Sequence, residues 1–162
     1  MTPGQGAFGA LEASGIARTM RESLWLYPGV EIAHIAGLAV LVGSVAMFDL
    51  RLLGVGRSVS VRALARFLLP WSVGALVVIV PSGLMMFSAH ASDFIDNPAF
   101  KIKMLLLVIA GTNAALFHTS VFRGAAAWDT GVAPPAMARV QAVFSLALWL
   151  AVVSCGRLIA YT

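Results

Sequence analysis

Charge is scarce in this chain. Of its 162 residues, 11% are Asp, Glu, Lys or Arg, against about 25% in a soluble domain. So few ionic groups exclude an ordinary water-soluble globular protein. Cysteine is almost absent too. The single Cys155 lies inside an apolar run, which excludes a disulfide framework and a CxxC metal site, and a lone Cys there reads as a small apolar packer. Acidic residues number 7 against 11 Lys and Arg, giving a net charge of +4. The Arg residues sit at the ends of apolar runs rather than in one patch, so the basic balance reads as a membrane topology signal and predicts no nucleic-acid partner. The opening MTPGQGAFGALEASG has no basic stretch followed by an apolar core, so no cleavable signal peptide is expected.

What the chain has is apolar length: 60% hydrophobic residues and a mean hydropathy of +0.91. The pattern predicts an all-α fold, an integral membrane four-helix bundle with an N-terminal amphipathic interfacial helix. Spans are expected at 27–50, 65–88, 100–122 and 136–160, each long enough to cross roughly 30 Å of hydrocarbon. Pro81 marks an expected kink in the second. Residues 1–26 form a tail and surface helix, with 27–162 as the bundle. Residues 8 to 25 alternate apolar and charged positions at helical spacing, as in a helix lying on the lipid bilayer with Trp25 and Tyr27 at the interface. Arg51, Arg57, Arg62 and Arg66 fall between the first two spans, and Arg123 and Arg139 between the last two. By the positive-inside rule both loops are cytoplasmic and both termini periplasmic, as in a multi-pass protein of the bacterial inner membrane. Arg18 and Arg21 pull the other way.

Ionisable groups within spans are expensive and usually functional. Glu31 and His34 are three residues apart and share a helix face. Lys103, Leu107, Ala110, Ala114 and His118 form one stripe of the third span, in which Ala leaves room for a neighbouring helix or a flat ligand. Asn113 is a further polar candidate. His34 is the first candidate for a metal or haem ligand, against the plainer reading of a hydrogen-bonded packing residue or a partner of Glu31. Lys103 reads equally as a cation snorkelling to the headgroups, and His118 as an interfacial group. His90 is expected in solvent. Met47, Met85, Met86 and Met104 are ordinary packers, although a thioether can bind haem or copper. Lys103 and His118 lie about 22 Å apart along one helix. His34 and His118 therefore cannot clamp one iron, and two bis-histidine haems are excluded. A single haem held by His34 with Lys103 or Met104, or five-coordinate, stays open.

The segments WLYPGVEIAHIAGLAVLVGSVAMFDLRLLG, FLLPWSVGALVVIVPSGLMMF, NPAFKIKMLLLVIAGTNAALFH and SLALWLAVVSCGRLIAY resemble a family of small bacterial four-helix membrane proteins. More distantly, the chain is similar to the HemJ type of protoporphyrinogen oxidase and to the membrane part of copper-resistance protein D. The HemJ pattern of a first-helix histidine, small residues and an Arg-Leu pair recurs as His34, Gly37, Gly43, Arg51 and Leu52, and its third-helix lysine as Lys103. The resemblance implies b-type haem, with His34 and Lys103 as the functional pair. Three departures stand out: His118 lies about a turn deeper than the family's third-helix histidine, and neither the Tyr27-Pro28 and Glu31 motif nor Asp49 belongs to the pattern.

Three expectations follow. The first is a single haem b passing electrons between a membrane or periplasmic donor and the quinone pool, with His34 as the metal ligand, Lys103 or Met104 opposite, and Glu31 orienting His34. The second is an oxidoreductase acting on protoporphyrinogen, with haem as the electron relay. The third is a haem-free transport or scaffold subunit of a larger complex, with a Glu31–Lys103 ion pair fixing register or with Met85, Met86 and His90 handling copper. An oligomer or a redox partner protein is compatible with each, although Gly37 and Gly43 do not form a GxxxG dimer motif.

Overall fold

The computed structural model describes residues 3–161, and among them every regular element is helical. Four helices of 22 to 29 residues are long and apolar enough to cross a membrane: α3 (Leu26–Leu52), α4 (Val61–Ala89), α6 (Pro98–Thr119) and α7 (Ala136–Leu158). Two short helices, α1 (Pro3–Glu12) and α2 (Gly15–Glu22), precede them. A one-turn helix α5 (Ala91–Asp96) joins α4 to α6, and a 3-10 segment (Val121–Trp128) joins α6 to α7. The protein is a multi-pass membrane protein built as a helical bundle.

The amphipathic stretch forms as two helices rather than one. Ser14 breaks it, turning extended and accepting the Ala17 N–H as an N-cap. This is the usual use of serine at a helix start. The apolar face of α2 buries Ala17 and Met20 against α4 and α3, while Arg18 and Glu22 stay in solvent. Arg21 fastens this cap by donating to the carbonyls of Ala89 at 2.9 Å and Glu12 at 2.7 Å. Glu12 in turn accepts the Ser92 hydroxyl and N–H at 2.6 and 2.8 Å. Those two donors, the hydroxyl first, hold its carboxyl below the usual carboxylate range.

The spans pack as two antiparallel hairpins. α3 lies along α4, α6 lies along α7, and α3 meets α7 across the middle. Gly37 permits the α3–α4 approach: a Cβ there would sit 2.8 Å from Ile79 Cγ1. Small residues at a helix crossing serve this purpose in membranes. No Cα of α6 comes within 8 Å of a Cα of α3 or α4, so the ring of helices is open between α4 and α6. Near one end the gap is bridged by α5 and by aromatic rings, with Phe87 stacked on Phe100 at 5.6 Å and Phe94 tilted on Phe100 at 5.4 Å.

The opposite end is closed. Leu52, Val61, Phe117, Trp128 and Ala138 form one buried cluster from all four spans and the 3-10 segment. Here α4 begins four residues before the expected span, because the Ser60 side chain caps it. It then continues without interruption through Pro70 and Pro81. Arg51, expected as a loop charge, belongs to the last turn of α3 and is 2% exposed. Its guanidinium reaches past the helix end to the carbonyls of Val59, Arg57 and Asp129.

Candidate functional site

His34 projects from α3 onto α4. Its Nδ1 lies 3.1 Å from the Ile79 carbonyl and 2.9 Å from Ser82 Oγ. The Ser82 hydroxyl donates into its own helix, to the Val78 carbonyl at 2.7 Å and Ile79 at 3.1 Å, so towards the ring it is an acceptor. Both neighbours of Nδ1 therefore accept, and Nδ1 must carry the hydrogen. In the neutral ring the lone pair is then on Nε2, which takes no hydrogen bond from any described residue. A histidine oriented through one ring nitrogen by a backbone carbonyl is the usual arrangement of a metal ligand. Gly83 makes room for the ring: a Cβ there would be 3.2 Å from His34 Cε1.

The other candidates are only partly brought to this ring. Lys103 of α6 is half-buried, with Nζ 3.6 Å from where a Cβ of Gly156 on α7 would sit. Its charge, with that of Glu31, acts on His34. Glu31 is exposed, and the ion pairs among the described residues are Arg18–Glu22 and His90–Asp93, so the expected Glu31–Lys103 pair does not form. Met104 is 45% exposed on the outward face of α6. One residue beyond Lys103, it is turned from that side chain by about 100°. His118 stands at the closed end with its ring edge-on to Phe117 and Phe122, at 5.5 and 5.3 Å. The alanines of its stripe differ, Ala110 being buried and Ala114 exposed, because only α7 packs along α6.

No three His, Cys, Asp or Glu side chains converge among the described residues. His34 therefore has no such group around it among the described residues, and a bare metal ion would need several ligands. A metal already held by a macrocycle needs only one or two. His90, at the α4–α5 junction, pairs with Asp93 at 3.7 Å and lies edge-on to Tyr27 at 6.1 Å. A groove of about 370 Å³ between α3 and α7, lined by Val42, Val45 and Trp149 among others, carries no charged side chain.

Residues 18–162 match the model of a family of unknown function, DUF6644. The chain belongs to this family. No curated protein and no solved structure matches it. The match covers all four spans of this DUF6644 protein and, before them, only the end of α2.

His34 is legible in the sequence by its isolation in a span, whereas the burial of Asp49 and of Gln141 Oε1 is not. Asp49 is 5% exposed, with Oδ2 unpartnered. Standing two residues before Arg51 at the end of an apolar run, it reads as an ordinary span-end charge.

Proposed function

We propose that this chain is a b-type haem protein of the bacterial inner membrane, in which His34 would hold the haem iron, and that it passes electrons between a membrane or periplasmic donor and the quinone pool. The observation that carries this reading is the fixed tautomer of His34, whose Nδ1–H is held by Ile79 and Ser82 while Nε2 stays free. The resemblance to the HemJ type, in which a first-helix histidine and a third-helix lysine form the functional pair, points to the same two positions. Haem b supplies a one-electron carrier when bound. The protein's part is to bind and orient. Ile79 and Ser82 set the plane and basicity of the His34 ring, and Gly83 leaves space beside it. Lys103 brings a positive charge to the same region. The gap between α4 and α6 gives a lipid-soluble partner such as a quinone a sideways approach from the bilayer.

The test is an optical spectrum of the detergent-purified protein, oxidised and then dithionite-reduced. A Soret band that shifts on reduction, with sharp α and β bands, is expected, and His34→Ala abolishes it. A flat spectrum after expression with ample haem, or an unchanged spectrum in His34→Ala, overturns the proposal. A second reading, a haem-free subunit of a larger membrane assembly, is favoured by α6, of whose most apolar window only 11% is buried within the chain. A flat spectrum together with co-purification of one stoichiometric partner would support it.

A further inference from the structure

The closed end of the bundle holds a buried polar group that the haem reading does not use. Asp49 of α3 is 95% buried, its exposure being 5%. The Ser145 side chain of α7 lies beside its carboxyl, and Oδ2 has no partner. One turn before Ser145, Gln141 carries a second orphan: its Oε1 is buried and receives no donor. The Gln141 backbone carbonyl accepts Asn113 Nδ2 from α6 at 3.3 Å. Three spans therefore contribute to one polar layer whose unsatisfied atoms, Asp49 Oδ2 and Gln141 Oε1, are acceptors, while Arg51 Nη1, two residues along α3, is a buried donor without a partner.

No cation balances this carboxyl. On its own helix, Arg51 sends Nε and Nη2 to the loop carbonyls, and its Nη1, buried and unpartnered, forms no ion pair with the carboxyl. On α6, His118 packs among phenylalanines. Arg62 and Arg66 of α4, Arg123 of the 3-10 segment and Arg139 of α7 are exposed. Asp129 is engaged by Ser60 and the Arg62 N–H. A bare carboxylate this deep, with one oxygen unbonded, carries a large desolvation penalty. Two orphaned acceptors become a satisfied pair when one of them gains a hydrogen.

We propose that Asp49, with Ser145 and Gln141, is a proton-binding site inside the helical bundle, in which Asp49 carries the proton and Gln141 Oε1 accepts its hydrogen bond. Loading forms one O–H bond at Asp49 with a proton from water and moves no electron. Asp49 is three residues, about 4.5 Å, from the end of α3, so the nearest aqueous phase is the one bathing the Arg51 loops. His34 lies 15 residues along the same helix, about 22 Å away. The site therefore stands whether or not haem is bound.

The experiment is infrared spectroscopy of the full chain in lipid nanodiscs at neutral pH, with ¹³C-aspartate labelling and exchange into D₂O. The label marks four residues, Asp49, Asp93, Asp96 and Asp129. The expected result is a label-sensitive carbonyl band of a protonated carboxylic acid that is absent from Asp49→Asn, shifted in Gln141→Leu, and titrated away in a single step as pH rises. A labelled wild-type chain without such a band overturns the proposal, as does a band that survives in Asp49→Asn. A band that appears only when sodium is removed also overturns it, because a metal cation would then be the resident ligand. Should Asp49→Asn fail to fold, the wild-type and Gln141→Leu spectra decide: a band unmoved by Gln141→Leu refutes the pairing.

Discussion

The side chain of Arg51 donates through Nη2 to the backbone carbonyl of Asp129 at 3.0 Å, joining positions 78 residues apart. The same carbonyl accepts the Val61 N–H at 3.0 Å, and the Asp129 carboxylate accepts Ser60 Oγ at 2.9 Å and the Arg62 N–H at 2.8 Å. Arg57, whose carbonyl also takes Nη2 of Arg51, receives the Gly131 N–H at 2.9 Å. One guanidinium and one aspartate thus fasten the two connections at this end to each other and to the start of α4.

Arg51→Met should destabilise the protein by about 3 kcal/mol, the scale for orphaning buried carbonyls that a charged donor had satisfied. Thermal unfolding in detergent would show it as a lowered Tm. Arg51→Lys should recover only part, because one ammonium cannot reproduce the fork that reaches three carbonyls. Equal Tm values for Arg51→Met and wild type would show that the clasp carries no stability.

The Arg62 N–H, and after it the Ser60 hydroxyl, hold the Asp129 carboxyl below the ordinary carboxylate range. A depressed folded value means that its contribution is fully present above the ordinary range and is lost as pH falls through the lower, folded value. Acidification should therefore loosen the start of α4. The neighbouring Trp128, buried in the closed-end cluster, reports this as a fluorescence change. Asp129→Asn should flatten the acid limb of that curve.

Gly37→Ala should force α3 and α4 apart or Ile79 out of its rotamer, costing about 1–3 kcal/mol. The Ile79 carbonyl also holds His34, so haem retention is expected to fall in the same variant. Adding Ile79→Ala should restore both, since the crowded atom is Ile79 Cγ1 while the carbonyl stays. Spectra that improve without any gain in Tm would separate the two effects and count against a steric cause.

Ser82→Ala removes one of two acceptors at His34 Nδ1 and leaves the Ile79 carbonyl. Haem should still bind, with affinity reduced by about 10- to 100-fold, the usual effect of losing a group that orients a ligand. Titration of haem into the apoprotein measures it. His118→Ala should leave the spectrum unchanged and reduce stability by about 0.5–1.5 kcal/mol through its two ring contacts. A lost Soret band in His118→Ala would move the ligand to the other end of the bundle.

The four spans are legible because each is an apolar run with charges at its ends. α5 and the 3-10 segment are not, since eight residues or fewer carry too little periodicity. Ser14 could have been read as a cap inside the amphipathic stretch, but the charged residues around it continue the helical spacing across the break. His34 is visible as a polar residue in a span. Its partners Ile79 and Ser82 depend on how α3 and α4 slide against each other, and Gly37 sets that register through a contact 42 positions away. Asp49 and Arg51 show the opposite failure. Their charges look like span-end markers, and only the folded-back loops bury them.

The pairing of neighbouring helices has a consequence for how the chain is made. The α3–α4 and α6–α7 contacts join segments that leave the ribosome one after the other, so each pair can associate as soon as its second member enters the lipid. The α3–α7 contact, the Arg51–Asp129 clasp and the placing of Ser145 beside Asp49 all bridge the first half of the chain to the second. An early stop codon after α4 would therefore leave an inserted helical pair in which Asp49 lacks Ser145 and Arg51 keeps Val59 and Arg57 but loses Asp129, a polar exposure that membrane quality control can recognise.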